Sequence, residues 1–508
     1  MKILSPALSQ LARLRLGRLD YFMQFPLEVQ EMVFQQLLGS GQYTEYGKRY
    51  GFSRILRVEE YKKAVPICNY DSIKSYIERI MAGEQNLLWN TPVKWFAKSS
   101  GTTSDKSKFI PVSMESLDDC HFRAGRDVLS LYYRNFPDSD LLTGKTLVIG
   151  GSHQVNQLGE NSFFGDLSAV MLQNMPFYGQ MVRTPDLSIA LMDEWEEKIE
   201  RMASTTIREN VTSIAGVPTW TLVLIRRILE LTGSRDLLEV WPNLELYVHG
   251  GVSFSPYRDQ FRSLTRARPL NFLETYNASE GFFAAQDDLV RGEGLLLFLN
   301  HGIFYEFMPM EEYGKEDPET LQLQDVETGC NYALVISTNG GLWRYVVGDT
   351  VSFTSLAPYR IRVTGRTRLF INAFGEEVIL ENAENAVAAA CAATGAVVND
   401  FTAAPVFPRE KAKGYHQWLF EFSVPPADLE QFGKILDLEL QALNSDYEAK
   451  RYRGIALKPP VLELLRPGTF NAWLKNKGKL GGQHKVPRLS NDRRWVEEIL
   501  EFREVPGR

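Results

Sequence analysis

The chain has 508 residues, a length that suits two or three domains with sizeable hydrophobic cores. Its 44% of hydrophobic and 23% of charged residues are ordinary for a soluble globular protein, which excludes the disordered and membrane-embedded classes. The net charge of −7 excludes a general electrostatic attraction to nucleic acid or to an anionic membrane surface.

The cysteines and the N-terminus indicate a cytoplasmic protein. The four cysteines are Cys68, Cys120, Cys330 and Cys391. They lack the close pairing of a zinc site or of a disulfide framework, so we expect them to be reduced core residues. Three arginines between residues 13 and 18 interrupt the apolar residues of the N-terminus before these could form a signal or membrane-spanning segment.

In chain order, the first 90 residues have a mostly helical pattern. Apolar residues at helical spacing predict a helix over Leu27–Leu38, and a second helix follows Tyr70-Asp71 and ends near Ala82. Two β-like runs come next, Trp95–Ala97 and Phe109–Val112.

The loop between these two runs is rich in small hydroxyl residues and leads to a lysine, Lys108. The small residues of the loop are Ser99, Ser100, Gly101, Thr102 and Thr103. Small side chains let backbone N–H groups approach anionic oxygens, hydroxyls add donors and a lysine adds positive charge, so the loop is a predicted phosphate cradle. The Walker pattern is absent, and the same composition also suits a solvated turn between two hairpin strands.

After this loop, helices and strands alternate in the order of an α/β domain. A helix is predicted to run through Tyr133. The predicted strands that follow cover Thr146–Gly151, Val211–Ala215, Leu244–Val248 and Leu270–Glu274, and the predicted helices cover Met192–Arg208, Thr219–Leu231 and Pro256–Thr265. Crossover helices imply a mainly parallel sheet whose ligand crevice lies at the carboxyl ends of the strands.

The second half of the chain contains two further patterns. From Leu295 to Phe353 β-runs dominate, with an Asn339-Gly340 hairpin turn between Ala333–Thr338 and Leu342–Val347. After Gly365 the predicted elements are helices at Leu380–Ala393 and Pro426–Leu443 and strands at Phe401–Val406, Trp418–Val424 and Pro460–Leu464. We therefore predict an α/β fold with a large N-terminal domain, residues 1–365, that combines mainly parallel sheets with a β-rich subdomain, and a smaller α+β C-terminal domain, residues 366–508.

Two short motifs follow strands of the α/β region. In one, Tyr276 could stack on a purine, and Glu280, four residues later, could hold Mg²⁺ that bridges ATP phosphates. A core tyrosine followed by a helix-capping Ser-Glu pair fits the same residues. In the other, Gly250-Gly251 would let an adenine ring lie against the backbone, and it fits a tight turn equally well.

Three more motifs lie towards the C-terminus. Asp349, after a strand and a glycine, could accept both ribose hydroxyls, or it lies in a hairpin turn. Arg366, at the predicted domain boundary, could reach the nucleotide, or it is solvated at a surface hinge. Lys485, on a glycine-flanked loop, could approach the α-phosphate as charge builds there, or it belongs to a solvated basic patch.

In their wording and order, these motifs resemble the GH3 family of acyl-acid amido synthetases within the adenylate-forming superfamily. The phrases that carry the resemblance are Thr44–Phe52, Val65–Tyr70, Trp95–Val112, the segment around Tyr276, Gly341–Asp349, Arg466–Phe470 and Gln483–Arg488. The resemblance implies a ligase that uses ATP and Mg²⁺. A small-molecule carboxylic acid would form an acyl-adenylate with release of pyrophosphate, and an amine, typically an amino acid, would then displace AMP to form an amide.

The resemblance also implies roles for individual residues. The small residues of the loop and Lys108 would hold phosphates, Tyr276, Ala278 and Ser279 would contact the nucleotide, Glu280 would bind Mg²⁺, Asp349 would bind ribose, and Lys485 would stabilise the adenylation transition state from a mobile C-terminal domain. We expect the acyl pocket among His121, Phe122, Val217, Trp220 and Tyr276.

The segment after the hinge departs from the family pattern. Plant-type members carry a lysine there, where this chain has Glu376-Glu377. The wording of Gly365–Arg368 and Phe374–Val378 is closer to acyl-CoA ligases of the superfamily, which leaves coenzyme A open as the acceptor. A relative that binds nucleotide without catalysis is the third alternative.

Overall fold

The computed structural model describes residues 5–99, 108–150, 155–159, 161–192, 194–251, 254, 257–292, 294–367, 370–371, 373, 376, 378–406, 414–444, 447–448, 451, 457–477, 486–490 and 493–504. These residues form two compact units. The first takes its residues from the chain before residue 348 and from Val351–Val363, and the second takes Gly348–Thr350 and the chain after residue 363. The domain boundary at residue 365 stays a prediction.

Helices dominate the start of the first unit and separate its strands further on. Its α-helices are Ser5–Gln24, Pro26–Gly41, Glu45–Arg49, Val58–Ala64, Tyr70–Met81, Phe122–Asn135, Leu167–Gln173, Phe177–Met181, Leu187–Ala190, Trp195–Thr206, Pro218–Thr232, Leu237–Val240 and Arg258–Ser263. A π-helix covers Ser116–His121, and short 3₁₀ helices cover Phe52–Arg54, Leu141–Thr143, Met310–Glu312 and Leu323–Asp325. Among the residues that the structure describes, no helix is both long and apolar enough to cross a lipid bilayer.

Local signals fix the ends of several helices. Asn69 caps helix Tyr70–Met81 by accepting the backbone N–H of Ser72 at 3.1 Å. Pro218 opens helix Pro218–Thr232, and Gly233 closes it with a φ of 69°, which a residue without a Cβ adopts readily. The sequence therefore predicts these helices with nearly the observed bounds.

The strands up to residue 366 are β1 (Trp95–Ser99), β2 (Lys108–Val112), β3 (Lys145–Val148), β4 (Asn156–Gly159), β5 (Ser162–Gly165), β6 (Arg183–Thr184), β7 (Val211–Ala215), β8 (Leu246–Gly250), β9 (Asn271–Ala278), β10 (Gly281–Ala285), β11 (Leu295–Leu297), β12 (Ile303–Pro309), β13 (Asn331–Thr338), β14 (Tyr345–Leu356) and β15 (Tyr359–Arg366). Four of them form a small sheet in the order β2-β1-β5-β4. In it β1 and β2 are antiparallel, from the pair Trp95↔Val112 to the pair Ser99↔Lys108. The predicted phosphate loop therefore connects two paired strands.

Eleven of the described strands form a large mixed sheet in the order β12-β13-β14-β15-β11-β10-β9-β8-β7-β3-β6. The strands from β6 to β9 in this order are parallel. Antiparallel pairs join β9 to β10, β10 to β11, β11 to β15 and β12 to β13. The predicted α/β fold class is confirmed, with the parallel pairs in one half of the sheet and the antiparallel pairs in the β-rich half.

Both faces of the parallel half are covered by apolar residues. On β8, Leu246 packs into the larger hydrophobic cluster of the unit, and the next residue, Tyr247, packs into a second cluster. Because successive side chains of a strand point to opposite faces, this alternation shows a core on each side of the sheet. Because both faces are covered, the expected place for a ligand site in this half of the sheet is the carboxyl edge of the parallel strands.

The second unit has the predicted α+β composition. Its strands are β16 (Phe370–Ile371), β17 (Val378–Ile379), β18 (Val397–Val406), β19 (Tyr415–Val424) and β20 (Val461–Leu465). β16 and β17 are antiparallel, as are β18 and β19, whereas β19 and β20 are parallel. Its helices are Leu380–Thr394, Leu429–Leu443, Thr469–Asn476 and Arg494–Glu504.

Three local expectations are wrong. The strand predicted from Leu342 begins only at Tyr345, because Gly341 and Arg344 have φ values of 88° and 43° that interrupt an extended chain. The strand predicted to end at Glu274 continues to Ala278, so the segment Thr275–Gly281 completes β9, turns and begins β10. Cys330 is exposed in the turn before β13 and is not a core residue, although all four cysteines are free.

Candidate active site

The carboxyl ends of three parallel strands lie side by side at one edge of the large sheet. Beyond β3, the N–H of Ile149 donates to Ala215 of β7 at 2.9 Å, and beyond β7 the N–H of Gly216 donates to Val248 of β8 at 3.2 Å. At the end of β8, Gly250 is in register with Thr275 of β9. The loops predicted to bind ligand therefore leave the sheet next to one another.

Gly250 has a steric reason to be glycine. A Cβ at this position would lie 2.5 Å from the carbonyl oxygen of Thr275 and 2.8 Å from its hydroxyl oxygen. The following residue, Gly251, has a φ of 78°, in the region that disfavours a side chain. The glycine pair thus forms a tight, bare turn against the end of β9.

The motif that follows β9 forms a hairpin turn between two antiparallel strands. Ala278 pairs with Gly281, and Ser279 and Glu280 make the turn between them. Tyr276, before the turn, is 7% exposed, and its ring centroid lies 4.8 Å from that of Phe283. Tyr276 is therefore a packed residue of β9, and Glu280 is the half-buried charge of the turn.

Glu280 acts electrostatically on a buried hydroxyl of β14. Burial raises the pKa of Tyr345 well above its ordinary value, and the negative charge of Glu280 raises it further. Within the described residues, the Tyr345 hydroxyl has no hydrogen-bond partner. Glu280 thus lies close enough to Tyr345 for its charge to act on the tyrosine hydroxyl.

Glu280 is a single carboxylate, which suits Mg²⁺ that is held mainly by phosphate oxygens and water. Among the described residues, no group of three histidine, cysteine or acidic side chains could hold a metal ion. Mg²⁺ commonly binds one or two protein carboxylates and completes its coordination with phosphate oxygens and water. One carboxylate, Glu280, therefore fits Mg²⁺ bound together with a nucleotide.

The predicted phosphate loop is described only at its two ends. Ser99 ends β1 opposite Lys108, which begins β2, and Ser100, Gly101, Thr102 and Thr103 lie outside the described residues. The ammonium of Lys108 lies 5.9 Å from the ring centroid of Tyr70. The ring is thus close enough for a cation–π interaction with the predicted phosphate-binding lysine.

His249, which the sequence does not single out, lies directly before the glycine pair. Its ring is stacked on Phe254 with 3.9 Å between centroids and is 2% exposed. Burial lowers the pKa of His249 to about 3, and the positive charge of Arg258 contributes to the shift. This histidine is therefore neutral at neutral pH.

Besides Tyr276, two of the predicted acyl-pocket residues are buried. His121 ends the π-helix and Phe122 begins the next α-helix, with exposures of 2% and 8%. Burial lowers the pKa of His121 to about 4, and neighbouring His301 contributes. Val217 and Trp220 are half-buried at the start of helix Pro218–Thr232. The acyl role of these four residues and of Tyr276 stays a prediction.

In the second unit, the structure brings together two motifs that the sequence presents separately. The guanidinium Nε of Arg366 lies 3.1 Å from a carboxylate oxygen of Asp349. The adjacent hydroxyls of Thr364 and Thr350 are 2.9 Å apart, and the N–H of Thr367 donates to Gly348 at 2.9 Å. These bonds fix Asp349 beside Arg366. Lys485 lies outside the described residues.

An arginine next to the Gly-Asp motif also has a role that the sequence does not reveal. Arg344 donates from Nε and Nη2 to the carboxylate of Glu306, with the shortest contact at 2.9 Å. It donates from Nη1 to the carbonyl oxygens of Lys62 and Val65 at 2.9 and 2.8 Å. Only its charge and its place before Tyr345 are visible in the sequence; its partners are distant along the chain.

Comparisons with known proteins identify the family. The sequence matches the GH3 family N-terminal domain over residues 15–270, the GH3 family central domain over residues 296–366 and the GH3 family C-terminal domain over residues 381–494. It is 25% identical to the indole-3-acetic acid-amido synthetase GH3.8 of Oryza sativa subsp. indica, over 91% of this chain and 87% of that protein.

Solved structures show the same fold. The GH3.15 acyl acid amido synthetase superposes with a TM-score of 0.78 at 18% identity, over 96% of this chain and 95% of the other. A 2-hydroxyisobutyryl-CoA ligase in the postadenylation state gives a TM-score of 0.59 at 12% identity, over 94% and 92% of the two chains. The N-terminal, central and C-terminal family segments follow one another along the chain and together cover most of it. The protein therefore belongs to the GH3 family.

Proposed function

We propose that this chain is an ATP-dependent ligase that joins a carboxylic acid to an amine, with an amino acid as the expected amine. In the first step a carboxylate oxygen attacks the α-phosphorus of ATP and pyrophosphate leaves. In the second step the amine nitrogen attacks the acyl carbon, AMP leaves with the bonding electrons, and the nitrogen loses a proton. The observation that carries the proposal is the family match, which extends through the N-terminal, central and C-terminal GH3 segments.

The main task of such a site is to stabilise charge on the transferring phosphate. We assign this task to Lys108, to the loop residues Ser99, Ser100, Gly101, Thr102 and Thr103, and to Lys485. Mg²⁺, when bound through Glu280, would supply neutralisation of the triphosphate charge. The place of Ser99 and Lys108 on paired strands supports a common role for the two ends of the loop.

The family resemblance implies which residues bind the nucleotide itself. Those of the first unit are Gly250, Gly251, Tyr276, Ala278 and Ser279. In the second unit, the ion pair between Asp349 and Arg366 supports a ribose-binding role, because the arginine orients a carboxylate that can accept two hydroxyl donors. The proposal includes a boundary at residue 365, a mobile domain after it and a cytoplasmic location.

The acyl group would lie among His121, Phe122, Val217, Trp220 and Tyr276. These side chains are mostly aromatic or apolar, and both histidine and tyrosine are buried. Burial holds His121 neutral at neutral pH, since its pKa is about 4. Such a lining suits an aryl or aliphatic acid.

Acid-dependent exchange of labelled pyrophosphate into ATP tests the first step. A panel of aryl and aliphatic acids should include at least one that starts exchange with the purified full chain. Amino acids or coenzyme A are then added with that acid, and the product is identified by mass spectrometry. An amide supports the proposal, a thioester without amide supports the CoA-ligase alternative, and no exchange with any acid refutes the activation step.

The role of Lys485 is tested in the same assay. Lys485→Ala should slow exchange by about 100-fold, because it removes a charge that acts on the transition state, while ATP affinity changes little. Lys475→Ala, which removes an exposed lysine from helix Thr469–Asn476, is the control and should leave exchange unchanged. Wild-type exchange in Lys485→Ala removes this lysine from the mechanism.

A further inference from the structure

Tyr70 contacts both residues at the start of the strand that follows the phosphate loop. The N–H of Phe109 donates to the Tyr70 hydroxyl oxygen at 3.0 Å. The ammonium of Lys108 lies 5.9 Å from the centroid of the Tyr70 ring. Tyr70 is 8% exposed, so these two contacts are made by a side chain that is already packed.

Tyr70 is also held from its other side. It is the first residue of helix Tyr70–Met81, whose cap is Asn69. Two residues earlier, the N–H of Cys68 donates to the carbonyl oxygen of Arg344, and the N–H of Val346 donates to that of Cys68, both at 2.9 Å. The backbone before Tyr70 is therefore hydrogen-bonded to the start of β14, while the side chain of Tyr70 contacts β2.

This arrangement gives the ring and the hydroxyl separate tasks. A lysine side chain has many rotamers, and its ammonium loses part of this freedom when it faces an aromatic ring. The hydroxyl satisfies a backbone N–H of β2 that lies one residue beyond the lysine. Together the two contacts limit both the direction of the Lys108 side chain and the position of its backbone.

We propose that Tyr70 is a positioning residue for ATP binding, which holds the end of the phosphate loop through Phe109 and orients Lys108 through its ring. The inference rests on the proposed function, because it assigns the phosphates of ATP to this loop. Tyr70 acts through Lys108 and Phe109, so its loss should weaken the binding of ATP and leave the binding of the acid unchanged.

Two substitutions separate the two tasks. Tyr70→Phe removes the hydroxyl and keeps the ring, and it should raise the KM for ATP about fivefold, as expected for one lost hydrogen bond. Tyr70→Leu removes the ring as well and should raise that KM by about a further threefold, the size of an exposed cation–π contact. The KM for the acid should stay within twofold of the wild-type value in both variants.

Tyr332→Phe is a matched control in the same unit. Tyr332 is 3% exposed, and its hydroxyl oxygen accepts the N–H of Glu327 at 3.0 Å. This substitution removes the same kind of bond away from the phosphate loop. It should lower the melting temperature about as much as Tyr70→Phe does and should leave the KM for ATP unchanged.

Three results would overturn the inference. They are an unchanged KM for ATP in Tyr70→Leu, an equal rise in the KM values for ATP and acid, and a rise in the KM for ATP in Tyr332→Phe as large as in Tyr70→Phe. If the wild-type chain shows no exchange with any acid, the proposed reaction fails. The role of Tyr70 is then tested by calorimetric titration with MgATP, which compares the Kd of the Tyr70 variants with that of the wild-type chain. A wild-type chain that also binds no MgATP would refute both proposals.

Discussion

Replacing Arg344 by methionine should destabilise the first unit by about 3–5 kcal/mol, the cost of leaving one member of a buried ion pair without its partner. The Arg344 and Glu306 side chains are 5% and 1% exposed. The substitution would leave the Glu306 carboxylate with the 2.6 Å bond from Thr320 but without a cation, and would deprive two backbone carbonyls of their donor. Both arginine and methionine carry a Cβ, so the strain at the φ of 43° is the same in the two proteins.

Urea denaturation followed by circular dichroism and tryptophan fluorescence measures this loss. The double variant Arg344→Met/Glu306→Leu should recover most of the stability, because it removes the stranded charge together with its partner. Arg227→Met is the control: it breaks an ion pair with Glu200 whose side chains are 36% and 50% exposed, and should cost less than about 1 kcal/mol. The reasoning is refuted if Arg344→Met costs no more than Arg227→Met, or if the double variant is no more stable than the single one.

Two further predictions concern the carboxyl edge of the parallel strands. The folded protein keeps His249 neutral with a pKa of about 3, against an ordinary value of 6.5, so below pH 6.5 the unfolded chain binds a proton that the folded chain does not. As the pH falls from about 6 to 4, His249 should therefore lower the free energy of unfolding by about 1.4 kcal/mol per pH unit. His249→Phe should remove this pH dependence, measured by urea denaturation. An unaltered pH dependence in the variant contradicts a neutral, buried His249. Gly250→Ala forces a Cβ to within 2.5 Å of the Thr275 carbonyl oxygen, so it should lower the free energy of unfolding by about 1–3 kcal/mol and raise the KM for ATP. Gly17→Ala is the control, because a Cβ there meets nothing within 4 Å, and it should leave stability unchanged or increase it. Equal changes in stability in the two variants would exclude the steric argument.

The sequence predicts elements best where local pattern and burial agree. β7 has the predicted bounds, Val211–Ala215, because a β-branched run is buried and is followed at once by Gly216. The sequence predicts the end of β9 four residues too early, because the segment from Thr275 to Glu280 lacks the apolar pattern of a strand. Pairing with β10 extends the strand to Ala278. Tertiary hydrogen bonding, which a local pattern does not contain, decides that boundary.

The candidate site could be predicted as a set of motifs but not as a set of contacts. The residue types of Asp349 and Arg366 indicate nucleotide chemistry, yet their 3.1 Å ion pair depends on the pairing of two strands. Tyr70 stands 38 positions before Lys108, and no spacing rule links them. The sequence does not indicate a special state for His249, because a single histidine at the end of a strand is common. Its neutrality follows from its burial against Phe254, which the local sequence does not show.

The two-residue turn at Ser279 and Glu280 limits how the length of this chain can vary. The turn connects the paired residues Ala278 and Gly281 directly, and the register of β10 against β9 shifts between Phe282 and Ala284. One residue inserted in the turn would displace Gly281 and Phe282 from their partners on β9, and so would disturb the packing of Phe283, which is fully buried. Insertions and deletions among functional relatives should therefore avoid this turn and accumulate in the connection after Met310–Glu312, where residues 314–318 belong to no strand or helix and are mostly exposed.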